Sequence, residues 1–327
     1  MKQLLRLITL IFIYGFLITI APHAHAISYN FTNITYPSSE ADVTSANDIN
    51  NNGYIVGTYT SLCSGWCSGS PWHIGGNKGF MYDGNTWITL NYPGSYGTIA
   101  KGINDTGSVV GYYGDITGGR RGFLYSGSAW ETIDYPGGPA TFPNGINNNG
   151  YIVGSYSYSP FWGPSQGFLY DGTTWRTIDY PGANSTSALG INNLNNIVGS
   201  YTNNAGAYGF MYDGSNWITI DYHGAFATVA SDISDSGDIV GYYEGYNGSN
   251  WGTYAFLYDG NEYHVIDYTS WRDRPLYALG TNNSGQIVGY DDYDWAGFLA
   301  TPVPEPSTLI LLGSGLAGVI ALRKRLR

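Results

Sequence analysis

The sequence predicts an all-β fold assembled from six copies of one four-stranded unit, on three observations. The first is composition: 47 glycines and 31 tyrosines against three methionines, with 11% charged residues, suit short strands and tight turns rather than helices. The aromatic content, 16%, is far too high for a disordered chain. The second is repetition. A Gly-Phe-Leu-Tyr-like run carries Phe80, Phe123, Phe168, Phe210, Phe256 and Phe298, spaced 42 to 46 residues apart. The third is that two further runs recur between those phenylalanines in a fixed order. One is Ile-Asp-Tyr-Pro-Gly-like, with its tyrosine at 36, 92, 135, 180, 222 and 268. The other is Ile-Asn-Asn-x-Gly-x-Ile-Val-Gly-x-Tyr-like, with its internal glycine at 57, 111, 154, 199, 241 and 289.

Each copy reads as four strands. The Gly-Phe-Leu-Tyr strand ends in Asp-Gly, as at Asp171-Gly172 and Asp213-Gly214, where glycine supplies the positive φ of a tight hairpin. The next strand runs through Trp87, Trp130, Trp175 or Trp217 (Tyr263 in the fifth copy) and stops at Pro-Gly. A short Ala-Leu-Gly-Ile-Asn-like strand follows and ends in an Asn-rich turn, whose asparagines suit left-handed turn positions. Ile-Val-Gly-x-Tyr is the fourth strand, with adjacent β-branched residues. Strands this short need stacking neighbours. A period near 45 residues with four strands per unit fits the blade of a β-propeller, and six units would close a ring. The chain's phase agrees with closure. It enters on the Trp-type strand (Phe31 to Tyr36) and leaves on the Phe-type strand (Gly297 to Ala300), so the two would lie side by side in one blade. A linear β-solenoid is the alternative, and it would be expected to carry capping repeats, which are not evident.

The ends read as sorting signals, giving three regions: 1–26, 27–302 and 303–327. Lys2 and Arg6 precede an apolar run from Leu7 to Ile20, and Ala24-His25-Ala26 offers small residues at Ala24 and Ala26, which predicts a signal peptide cleaved after Ala26. Export makes Cys63 and Cys67, the only two cysteines, legible as a local disulfide in an oxidising compartment. So small a ring would contribute about 2 kcal/mol. At the other end, Pro304-Glu305-Pro306 leads into an apolar stretch from Leu309 to Leu322 and then Arg323, Lys324 and Arg325. The arrangement is a stiff hinge, a short membrane helix and a positive stop that stays on the cytoplasmic side.

That C-terminal arrangement resembles the PEP-CTERM sorting signal of Gram-negative bacteria. The resemblance implies that Pro304, Glu305 and Pro306 are read by an exosortase, a membrane transpeptidase. It also implies that the helix anchors the protein only transiently, before release or attachment at the cell surface. The repeats resemble HAF-family extracellular repeats, through Gly-Ile-Asn-Asn-x-Gly-x-Ile-Val-Gly at 145–154 and Ala-Phe-Leu-Tyr at 255–258. The histidine that precedes Ala-Phe in that family is absent here. Lys78, Arg121, Gln166, Tyr208, Tyr254 and Ala296 stand in its place.

Chemistry is sparse in the pattern. Apart from the two ends, seven basic residues face 23 acids, a net charge of −16 that repels phosphate backbones and excludes nucleic-acid binding. No catalytic motif and no cofactor motif occurs. Antiparallel meanders put the Asp-Gly and Asn-Gly turns on one face, and the Pro-Gly loops and longer joining loops on the other. The joining loops carry unrepeated aromatics, Trp66, Trp72, Phe161, Trp162, Tyr246, Trp251 and Trp295, which suit stacking on sugar rings or a protein partner. They point to a secreted or cell-surface, non-catalytic protein that binds extracellular polysaccharide or matrix. The alternative is a carbohydrate-active enzyme using loop carboxylates such as Asp291, Asp292 and Asp294. The turn with Asp232, Ser234, Asp235 and Asp238 is a weak calcium candidate.

Overall fold

A computed structural model describes residues 28–38, 41–61, 76–159, 164–247, 249–267 and 275–303. The signal-peptide region, both cysteines, the Pro-Glu-Pro motif and the apolar C-terminal stretch lie outside the described residues. The body, Tyr29–Thr301, is one compact unit and holds 24 strands with no helix among the described residues.

The chain enters on β1 (Tyr29–Ile34). It then runs through β2 (Ala41–Ile49), β3 (Ile55–Ser61), β4 (Asn77–Tyr82) and β5 (Trp87–Leu90). The second unit is β6 (Gly97–Ile103), β7 (Val109–Gly114), β8 (Arg120–Tyr125) and β9 (Trp130–Ile133). The third is β10 (Ala140–Ile146), β11 (Ile152–Ser157), β12 (Ser165–Tyr170) and β13 (Trp175–Ile178). The fourth is β14 (Ser185–Ile191), β15 (Ile197–Asn203), β16 (Gly206–Tyr212) and β17 (Trp217–Ile220). The fifth is β18 (Ala227–Ile233), β19 (Ile239–Tyr246), β20 (Trp251–Tyr258) and β21 (Tyr263–Ile266). The chain ends on β22 (Leu276–Thr281), β23 (Ile287–Asp291) and β24 (Ala296–Pro302).

Within each unit the strands pair antiparallel in chain order. Two four-stranded sheets and two eight-stranded sheets result. The eight-stranded ones arise where single parallel residue pairs, Ala140 with Arg120 and Ala207 with Ala227, join neighbouring units. β1 pairs with β24, so the first strand completes the last sheet. This is the pairing of chain ends that the phase of the repeat predicts, although β1 stops at Ile34, two residues short of Tyr36.

The repeat is a packing solution before it is a sequence signature. All six repeat phenylalanines are fully buried. In the third unit Tyr135 stacks on Tyr156 at 3.6 Å, while Trp175 meets Tyr135 edge-on at 5.3 Å and Phe168 at 5.0 Å. The same three-ring arrangement recurs at Tyr92, Tyr113 and Trp130 and at Tyr180, Tyr201 and Trp217. The repeated tryptophans are therefore packing residues, as their periodicity predicts. Gly154 is glycine because a Cβ there would run into the Phe142 carbonyl and the Phe168 ring. Buried threonines tie each unit to the one before. The Tyr92 N–H donates to Thr98 Oγ1 at 2.8 Å, and Thr141, Thr186 and Thr228 accept equivalently from Tyr135, Tyr180 and Tyr222.

The Asn-rich turns differ from expectation. Left-handed φ falls on a glycine in five copies, such as Gly150 at 79°, and on an asparagine only at Asn195, 65°. The leading asparagines instead use both ends of the side chain. Asn147 Oδ1 accepts from the Asn149 and Tyr151 N–H groups of its own turn. Its amide donates to the Asn192 carbonyl of the next unit at 3.0 Å. Asn50, Asn104, Asn192 and Asn282 make the corresponding links to Asn104, Asn147, Ser234 and Asn50. The last of these joins the final unit to the first across 232 residues of chain.

Candidate functional site

Because the units are antiparallel meanders, their connections separate to two ends. The turns after β2, β4 and their equivalents share one end. The connectors after β3, β5 and their equivalents share the other. Among the described residues, twelve large apolar side chains stand exposed, and eight of them lie in or beside connectors of that second end. Tyr96, Ile116 and Tyr158 belong to the first three units, and Phe226, which enters β18, Tyr246, Trp251, Tyr293 and Trp295 to the last two. Leu194 alone occupies the turn end, and Ile88, Ile218 and Val265 sit on outer strands.

Of the aromatics expected to bind, Tyr246, Trp251 and Trp295 are exposed on this end. Trp66, Trp72, Phe161 and Trp162 lie outside the described residues. Tyr246 and Trp251 are cross-strand partners at the tip of the β19–β20 hairpin, closed by the Asn247 N–H donating to the Asn250 carbonyl. Trp295 has φ 54°, a left-handed conformation that is strained for a bulky residue. Its carbonyl is held by the Thr44 N–H at 3.0 Å. Asp291 is buried and accepts from the Tyr293 N–H at 2.9 Å, which gives it a turn-forming role. The repeated acid before each Pro-Gly tyrosine has no single partner type. Asp134 takes the Arg121 guanidinium, whereas Asp179 accepts from the Gly167 N–H and is pushed upward by burial.

A polar cavity of about 60 Å³ opens at the turn end, where the six inner strands meet. Two carboxylates lie deep in its wall. Asp48 Oδ2 accepts from the Ile103 N–H and Oδ1 from the Ile49 N–H, both at 2.7–2.8 Å. Burial nevertheless pushes Asp48 up to about 7. Asp232 accepts from the Thr281 N–H and is raised well above the carboxylate range by burial and then by the charge of Asp48. The register-equivalent positions elsewhere are Gly102, Gly145, Gly190 and Gly280, which also line or border the inner strands.

At the cavity mouth a second ring closes completely. The N–H of Asn51 donates to Asp105, Asp105 to Asn148, Asn148 to Asn193, Asn193 to Asp235, Asp235 to Asn283 and Asn283 to Asn51, at 2.8 to 2.9 Å. Burial pulls Asp105 and Asp235 upward, but amide donation outweighs it. Asn51 and Asn148 hold Asp105 below the ordinary carboxylate range, and Asn283 and Asn193 do the same for Asp235.

The weak calcium candidate is dispersed by this arrangement. Asp232 points across to the last unit and Asp235 enters the ring, while Asp238 accepts from Ser236 and the Ser234 hydroxyl bonds Ser236. No group of three or more metal-ligating side chains occurs among the described residues. Sequence reasoning passed over Asp48 and read the Asn turns only as left-handed turn positions. The available signal was an aspartate in two of six register-equivalent positions otherwise held by glycine.

Residues 302–325 match the PEP-CTERM protein-sorting motif. That motif implies export, transient anchoring in the membrane and processing by an exosortase-type membrane enzyme. No curated protein matches the chain. Several solved structures are similar in fold at low identity. A sialidase of Trypanosoma rangeli is 10% identical with a TM-score of 0.53, the match covering 91% of this chain and 61% of the sialidase. The β-propeller domain of the Trilobed protease from Pyrococcus furiosus is 9% identical with a TM-score of 0.47, covering 80% of this chain and 96% of that domain. The Aleuria aurantia lectin is 13% identical with a TM-score of 0.45, covering 82% and 99%. At these identities the likeness concerns the fold alone: the chain is an all-β protein whose structural neighbours are β-propellers, carrying a C-terminal PEP-CTERM sorting signal.

Proposed function

We propose that this is an exported, non-catalytic binding protein, a six-bladed propeller of HAF-type repeats that takes extracellular polysaccharide on its connector end. Its six four-stranded units act as the blades, with β1 and β24 clasping the ring. Residues 1–26 direct export, and the Pro304-Glu305-Pro306 tail hands the protein to the exosortase and then to the cell surface. The observation that supports binding is the concentration of exposed large apolar side chains, eight of twelve, at the connector end. Exposed apolar groups gathered on connectors above a rigid scaffold mark an interaction surface.

The test is incubation of the purified mature chain with extracellular polysaccharides, reading retention and reducing-sugar release together. Retention without release is expected. Release that disappears on substituting a connector carboxylate such as Asp292 would establish the enzymatic reading instead. The sorting reading has its own outcome. Pro304→Ala together with Pro306→Ala should leave the protein in the membrane fraction, and release into the medium at the unmodified rate would refute it.

A further inference from the structure

We infer that the described connectors of the fifth and sixth units form a binding surface, and that this sector takes an uncharged polysaccharide chain. The inference rests on the binding reading above and narrows it to a place and a ligand class.

Four features converge there. Among the described residues, the β19–β20 hairpin has eight residues in each strand, where the corresponding strands elsewhere have five to seven. Its extra length carries the Tyr246–Trp251 pair outward, and Trp251 is 71% exposed. Phe226, 74% exposed, is held against the same hairpin by its N–H donating to the Glu244 carbonyl at 2.7 Å. In the next unit Trp295 is displayed from a turn pinned at three places. Asp291 accepts from Tyr293, the Asp292 N–H donates to the Pro275 carbonyl, and the Trp295 carbonyl accepts from Thr44. A strained backbone held this firmly, with its indole left in solvent, is the geometry of a preorganised stacking platform.

Charge selects the ligand. Among the described residues, Glu244, Asp267, Asp292 and Asp294 stand on the connector end of this sector. An anionic polymer would meet repulsion along this sector, whereas an uncharged sugar ring offers apolar faces to the indoles and hydroxyls to the carboxylates. The platforms stand on separate turns. That spacing suits an extended chain touching several points at once more than a protein, whose interface needs a contiguous apolar core.

Affinity electrophoresis of the full mature chain in gels containing dextran, a β-1,3-glucan or alginate tests this. Retardation is expected in at least one neutral glucan and not in alginate. Trp251→Ser and Trp295→Asn should each weaken it tenfold or more, while Ile88→Ser, on outer strand β5, leaves it unchanged. Asparagine tolerates left-handed φ, so Trp295→Asn keeps the turn, and an unshifted thermal transition confirms that. Neutral-glucan binding that survives both tryptophan substitutions overturns the sector assignment and leaves the broader binding reading standing. Retardation by alginate alone overturns the ligand class. Retardation by none of the three, with capture of a protein partner instead, overturns this inference and the polysaccharide reading together.

Discussion

Gly154→Ala should destabilise the protein by at least about 3 kcal/mol, one of the largest single effects available in the body. The added methyl would meet the Phe142 carbonyl of the paired strand and the ring of Phe168, and a backbone carbonyl has no rotamer to escape into. Phe142 and Pro143 lie on the inner strand β10, so any shift is passed to the cavity wall at Gly145. The matched comparison is Gly150→Asn, four residues earlier. Gly150 has φ 79° and open space around its absent side chain. Asparagine already occupies the equivalent position at Asn195, so this change should cost no more than about 1 kcal/mol. Denaturant unfolding of the two variants decides the matter. Equal losses would mean that turn strain, not the close approach between strands, dictates glycine in these repeats.

The stability of the wild-type body should fall as pH rises from about 4 to about 7, and Asp48→Asn with Asp232→Asn should flatten that fall. Asp48 is raised to about 7 and Asp232 is raised further by burial and mutual charge, so the folded state keeps protons that the unfolded chain releases near pH 4. Where the folded state binds more protons, stability decreases with pH. The stabilisation is complete below the unfolded pKa and is lost as pH passes through the folded one. For Asp48 alone the span corresponds to as much as about 4 kcal/mol. Asp105 and Asp235 act in the opposite direction. Their lowered values give stability that is present above pH 4 and lost on acidification. A maximum in mildly acid solution is therefore expected. The double variant gives up part of the hydrogen bonding at Ile103 and Thr281, so its absolute stability at pH 4 should be lower even though its slope is flatter. A wild-type transition temperature constant between pH 4 and 8 would refute the burial of charge in the cavity wall.

What could be read from the chain, and what could not, divides along a physical line. The repeat, the separation of turns from connectors, the packing role of Trp87, Trp130, Trp175 and Trp217 and the pairing of the terminal strands all follow from local pattern and period. Local pattern misassigned the asparagines. Asn is common in left-handed turns, and only the convergence of six turns on one axis shows that Asn50, Asn104 and Asn147 spend their amides on a neighbour's carbonyl. For the same reason Asp48 was invisible, and Asp232 was singled out only as a calcium candidate. Each is an ordinary acid in its own strand, and is desolvated in the cavity wall only when the next unit closes over it. Among the connector aromatics, Tyr246, Trp251 and Trp295 are exposed as the reading of unrepeated positions expects, but the left-handed strain at Trp295 has no signature in the sequence.

The bond from Asn283 to Asn51 and the pairing of β24 with β1 set an order of events. The first needs the β22–β23 turn and the second the last strand, so a partly translocated chain holds its early units with one flank bare. Joining the first strands to the last is then a non-local step, of the kind that forms slowly, in a molecule whose other contacts mostly join successive strands and adjacent units. A chain cut short before β24 would be left as an open arc with two sticky edges, a ready target for the proteases of the compartment it enters.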